Sequence, residues 1–365
     1  MDLSLLIFGA LIIGYLGAMM YVANVADGNQ NPLRRKLQPD YAAEQAQLQR
    51  MTILRWMLYG IVALNLVFGL LVVQIAFLGD AASRASELDV KLPKVDQTGA
   101  VLYFVLAVTT SLFSYRVVAS ETTRQQIRQR LGADSAYKPE SNVHTVAIVL
   151  ALVFIAVTIA QLIISGGLSG LAEDMQDSVS TGSLVFQAAL FIAFAFLGVG
   201  MAIRRDVMAT LARLGLRIPT LQDVIWGIGM GIGLFVAQLV MGIIWSALVP
   251  AEQIAQQSAA SDQIARSVTT LPMAFLVSLT SAVSEEILFR GAIQPVFGLV
   301  VTSLFFALVH IQYALTPATL IIFVVALGLG VVRWRQSTSA SIITHFIYNF
   351  VQLAAAILIV RAAGG

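Results

Sequence analysis

The stretch LPMAFLVSLTSAVSEEILFRG (271–291) decides how this chain is read, because it is apolar enough for a membrane and yet ends in Glu285, Glu286 and Arg290. About 20 mostly apolar residues cross the ~30 Å hydrocarbon core of a bilayer, so the stretch reads as a transmembrane helix. A charge at the centre of such a helix costs about 2.5–3.5 kcal/mol on insertion scales. Three ionisable side chains so close together therefore either brace the helix against its neighbours or do chemistry.

The rest of the chain agrees with a membrane setting. Of its 365 residues 58% are hydrophobic and 12% charged, against roughly 25% charged in soluble domains. The net charge of +2 gives no footprint for nucleic acid. Cysteine is absent, which excludes disulfides, thiolate metal sites and cysteine nucleophiles. The first 23 residues lack a basic flank and carry Asp2, so they read as a first span and not as a cleaved signal peptide.

Apolar runs predict about ten spans, near 3–25, 56–79, 98–118, 144–166, 183–203, 222–248, 271–291, 296–313, 318–335 and 340–361. The expected fold is an all-α, polytopic transmembrane helical bundle. Basic side chains cluster in alternate loops: Arg34, Arg35, Lys36, Arg50 and Arg55; Arg116, Arg124, Arg128, Arg130 and Lys138; Arg204, Arg205, Arg213 and Arg217. The intervening loops, 80–96, 173–177 and 252–266, are acidic or mixed. The positive-inside rule puts the first set in the cytoplasm and both termini outside, in the cell membrane. The stretches 116–130 and 37–49 read as surface helices or as solvated extensions of the spans. Neither a phosphate-binding glycine loop nor an HExxH motif occurs.

Only three histidines exist, His144, His310 and His345. His144 begins a span beside Asn142 and reads as an interfacial residue. The other two lie inside apolar helices, each with a partner four residues away. Phe306 shares a face with His310, and His345 shares one with Asn349, extended by Ser341 and Gln352. Polar side chains in membrane helices generally face the bundle interior, so two helices can aim both imidazoles and the carboxamide at one point. The same spacing separates the glutamates. Glu286 is four residues from Arg290 and can pair with it, whereas Glu285 points about 100° away. Without that cation, and beside a like charge, Glu285 suits a general base. A straight helix over 296–313 would carry His310 away from Glu285 and His345; Pro295, Gly298, Pro317, Gly328 and Gly330 make irregular helices the expected remedy.

In that order, EExxxRG at 285–291, FxxxH at 306–310 and HxxxN at 345–349 resemble the CPBP family of CAAX proteases and bacteriocin-processing enzymes. This family is also described as type II CAAX prenyl endopeptidases or as Abi proteins. The resemblance covers roughly 220–361, so the chain divides into an N-terminal extension of about five spans (1–219) and a protease core (220–365). It implies an intramembrane endopeptidase in which Glu285 and His310 activate a water. His345 and Asn349 would stabilise the oxyanion, with Glu286, Arg290 and Phe306 in support. Metal-free glutamate chemistry is favoured, and Zn²⁺ on His310, His345 and Glu285 is the alternative. The partners implied are the bilayer and a membrane-associated protein or peptide, lipidated or not.

Three other readings share some of these features. Midplane carboxylates and histidines also serve transporters, although no inverted repeat is visible. A catalytically silent scaffold or immunity protein would keep the fold. The GLSG at 167–170 resembles a serine-protease motif around Ser169, but glycines beside a serine at a helix exit are ordinary turn material.

Overall fold

With no water in hydrocarbon to satisfy backbone groups, a chain this apolar closes its hydrogen bonds inside helices. The computed structural model of the protein does so, and describes residues 3–28, 41–85, 95–132, 135–174, 180–313 and 315–364. Arg34, Arg35, Lys36, residues 37–40 and most of the acidic loop 80–96 lie outside the described residues, as does Asp177.

The N-terminal bundle comprises α1 (Leu3–Gly28), α2 (Tyr41–Ala85), α3 (Gln97–Ala119), α4 (Glu121–Leu131), α5 (Asn142–Ile164), α6 (Leu168–Asp174) and α7 (Thr181–Val199). After the short α8 (Val207–Leu214) come α9 (Leu221–Leu248), α10 (Ala251–Ser267) and α11 (Leu271–Glu285). A π-helical turn (Glu286–Ile293) leads into α12 (Gln294–Val309), α13 (Pro317–Arg335) and α14 (Thr338–Gly364). Proline in the first turn starts α11, α12 and α13, where its missing N–H costs nothing.

Among the described residues nine stretches are long and apolar enough to span a membrane, where the sequence predicts ten. The difference lies at Leu271–Val309, a single apolar run. Its helix does not break at Pro295 but runs on to Gly298, whose φ of 81° and ψ of 171° are non-helical. Glycine tolerates this left-handed backbone without a Cβ clash. The chain reverses there. Phe289 and Phe306 sit with ring centroids 5.0 Å apart, whereas a straight helix would separate them by about 25 Å at ~1.5 Å per residue. Another expectation changes: residues 252–266 are not a loop but belong to α10. Of the two readings of 37–49, the described part, 41–49, follows the extension, as the beginning of α2. Ser120 ends α3 and caps α4 by accepting from Thr123 N at 3.2 Å, so 121–131 is a distinct helix with no buried residue.

The C-terminal helices pack closely because small residues allow it. A Cβ on Gly231 of α9 would lie 2.8 Å from both Ile347 Cβ and the Thr344 carbonyl of α14. Close approach through small residues is how membrane helices gain packing without a hydrophobic driving force. The membrane-end corner is tied by buried Asp223, which accepts from Arg217 Nη2 at 2.9 Å and Ser337 Oγ at 3.1 Å. These bonds pin the start of α9 to the start of α14. The N-terminal bundle is not detached from this core. Ala195 and Val199 of α7 and Leu214 of α8 share a buried cluster with Ile287 of the π turn.

Candidate active site

The reversal at Gly298 explains how distant parts of the sequence meet. Gly298 lies nearly midway between Glu285 and His310, so folding back there brings the two level. His310 Nε2 stands 3.7 Å from Glu285 Oε2. The expected irregularity is therefore present, at Gly298 and not at Pro295. His310 caps α12, with φ −80° and ψ 78°.

His310 is oriented by its own helix. Its Nδ1 lies 2.6 Å from the Phe306 carbonyl oxygen. A carbonyl only accepts, so Nδ1 carries a proton and Nε2 is the nitrogen turned to Glu285. The 3.7 Å separation is too long for a direct hydrogen bond, and at that spacing one water can contact both atoms. Glu285 Oε2 has no hydrogen bond among the described residues. The two side chains are 15% and 19% exposed, while Glu285 Oε2 itself is buried.

Glu286 is placed otherwise. It is fully buried and its carboxylate is surrounded. Oε2 accepts from Ser341 Oγ at 2.5 Å and lies 3.4 Å from Arg290 Nε; Oε1 lies 3.0 Å from His345 Nδ1. The carboxylate only accepts when ionised, so His345 Nδ1 carries a proton too. Arg290 is also fully buried. It donates from Nη2 to the Ala326 carbonyl of α13 at 3.2 Å and lies 4.8 Å over the Phe306 ring. The boundary between Glu285 and Glu286 is where α-helix gives way to π-helix. π-turns change the angular register and recur at functional sites. Neighbouring glutamates, about 100° apart on the helix, thus serve opposite partners.

Phe306 is the hub of the assembly. Its ring lies 4.2 Å from that of His310 and 6.1 Å from that of His345, centroid to centroid. Glu285, Glu286, Arg290, Phe306, His310 and His345 thus converge from α11, the π turn, α12 and α14. Asn349 is half-buried one turn beyond His345 and makes no hydrogen bond to any of them. Gln352, expected to extend the same stripe, meets α9: Gln238 Nε2 donates to Gln352 Oε1 at 2.9 Å. Ser341, which the stripe includes, becomes a direct donor to Glu286. The Ala326 carbonyl has no signal in sequence, because every residue carries one. His144 is not among the converging side chains; its Nδ1 accepts from Lys138 N at 2.9 Å and its ring stacks on Tyr137. Ser169 is exposed on α6 with no histidine partner.

Among the described residues no three His, Asp or Glu side chains converge where they could share an ion. Glu286 holds Nδ1 of His345 and the Phe306 carbonyl holds Nδ1 of His310, which leaves Nε2 of each imidazole free.

Residues 267–351 match the family model described as "Type II CAAX prenyl endopeptidase Rce1-like". That segment contains every converging side chain and all three motifs. No curated protein and no solved structure matches the chain.

Proposed function

Taking residues 267–351 as a CPBP segment of the CAAX-protease type, we propose that the protein is a membrane-embedded endopeptidase of the glutamate type. Its substrate would be a membrane-associated protein or peptide. The observation that carries this reading is the open Glu285–His310 pair beside a closed Glu286–Arg290–His345 cluster. Glu285 takes a proton from a water held between Oε2 and His310 Nε2, and that water attacks the substrate carbonyl. His345, braced through Nδ1 by Glu286, turns Nε2 to the developing oxyanion when it is protonated, with the Asn349 amide as a second donor. The proton on Glu285 then passes to the leaving amine, which completes hydrolysis.

No step in this scheme needs a metal.

The test is a comparison of membrane proteomes from cells carrying the wild type or Glu285→Gln. Uncleaved precursors should accumulate with the variant; identical proteomes would sink the reading. Loop charge asymmetry orients the molecule with α4 and α8 in the cytoplasm. Cysteines at Thr122 and Met208 should then resist an impermeant maleimide in intact cells, and one at Gln253 should react. The reverse pattern would invert the topology.

A further inference from the structure

A groove of about 2090 Å³ runs along α1, α2, α5 and α12, and its lining includes Leu64, Ala151, Phe154, Phe289, Phe305 and Leu308. Small-molecule sites enclose about 300–1,000 Å³, so this one is on the scale of a lipid. Its charged residues lie at one end of the bundle, where Lys138, Arg204, Arg205 and Arg213 outnumber Asp27 and Glu140.

The charges at that end are incompletely matched. Asp27 sits 3.6 Å from Arg204 Nη1, and also accepts from Ser141 Oγ at 2.6 Å and Asn142 N at 2.8 Å. Among the described residues no carboxylate forms a salt bridge with Arg205 or Arg213. Arg205 Nη1 donates to the Val199 carbonyl, and Arg213 Nη1 to the Gly291 carbonyl at 2.9 Å. Burial, with Arg205, Arg333 and Arg204 close by, pushes the Arg213 guanidinium down to about 10. His144 also lines the groove. Its Nδ1 accepts from Lys138 N, so its proton is on Nε2 and it adds a donor.

We propose that this groove binds an anionic phospholipid, its phosphate among Arg204, Arg205 and Arg213 and its acyl chains along α5 and α12. Guanidinium groups match phosphate oxygens in geometry and charge. The apolar length supplies what a free anion cannot use, and a zwitterionic lipid would leave the cationic excess unmatched. The groove also shares a wall with the candidate active site. Phe289 lines it while packing on Phe306, and Arg213 holds the carbonyls of Gly291 and Ala292 at the end of the π turn. A bound lipid would therefore steady the segment that carries Glu286 and Arg290. The inference stands apart from the peptidase reading, because its readout is binding.

The experiment titrates the full chain, purified in neutral detergent, with phosphatidylglycerol, with phosphatidylcholine of the same acyl chains, and with inorganic phosphate. Melting temperature and lipid retained in native mass spectrometry are read. Phosphatidylglycerol should stabilise and be retained at concentrations at least tenfold lower than phosphatidylcholine, and phosphate should not stabilise. Arg213 holds two backbone carbonyls, so Arg205→Gln is the deciding charge variant and Ala151→Trp fills the apolar length. Each should weaken the phosphatidylglycerol response about tenfold. Equal responses to both lipids, full stabilisation by phosphate alone, or an unchanged response in either variant would overturn the proposal.

Discussion

Asn65 of α2 and Glu286 of the π turn are both buried between membrane helices, and their neighbours differ in kind. From Nδ2, Asn65 donates to the Ala107 carbonyl at 3.1 Å, to Thr110 Oγ1 at 3.1 Å and to Ser111 Oγ at 2.9 Å, all on α3. Every partner is neutral; Asn65 Oδ1, like Glu285 Oε2, has no hydrogen bond among the described residues, but no ion pair adjoins it. Glu286 instead gathers Ser341, His345 and Arg290 from two helices, and the adjacent Glu285 presents an oxygen without a hydrogen bond to His310. The first arrangement is what helix association alone requires. The second goes beyond that: its ionic cluster holds neighbouring reactive groups in a fixed relation, which pre-organised catalysis demands.

The largest effect expected from this contrast is on chemistry. Glu285→Gln keeps the shape and sacrifices no hydrogen bond at Oε2, so peptide cleavage by the purified protein should fall by about 10²–10⁴-fold. Its melting temperature should stay at the wild-type value. Retained turnover would remove Glu285 as the base.

Glu286→Gln should act the other way round. It strands Arg290, which is fully buried, and breaking a buried pair from one side costs about 3–5 kcal/mol. Reduced yield and a lower melting temperature are expected before any specific loss of rate. If both glutamine variants melted normally and lost equal activity, the two carboxylates would have to be treated as one coupled unit.

A smaller change should follow Asn65→Leu in the N-terminal bundle. Interhelical hydrogen bonds in membranes average about 0.6 kcal/mol, with a maximum of about 1.7. The melting temperature should drop slightly and the specific activity should hold. A loss as large as that from Glu286→Gln would erase the distinction between the two interfaces.

No effect at all is expected from chelation. Thorough treatment of the purified protein should leave cleavage intact. Activity lost and restored by Zn²⁺ alone would recast His310, His345 and Glu285 as ligands in an arrangement different from the one described here.

Much was legible in the amino-acid order because it depends on local spacing. Apolar runs marked the membrane helices, and the four-residue intervals put Glu286 beside Arg290 and His310 beside Phe306. The three motifs drew a resemblance that the family model matches over 267–351. The turn between the two apolar legs of Leu271–Val309 was expected but not placed, because hydropathy is blind to direction. Apolar residues on both sides of Gly298 look alike, and only that glycine's backbone shows where the chain turns. For Gln352 the stripe named a face and not the neighbour it meets. Tertiary packing chose Gln238 for it.

By itself the sequence determined that the chain lives in a bilayer, that its backbone is helical, and which few side chains are costly enough there to mark a site. Composition and periodicity suffice for that, since hydrocarbon penalises every exposed charge and every unpaired amide wherever they lie. Only the tertiary structure decided that Glu285 meets His310 across the Gly298 reversal, that Ser341 and His345 close on Glu286, and that Ala326 lends Arg290 a carbonyl. Those pairings join residues far apart in the chain. A helix's own periodicity specifies which face is polar; which helix comes to lie against that face is settled by packing.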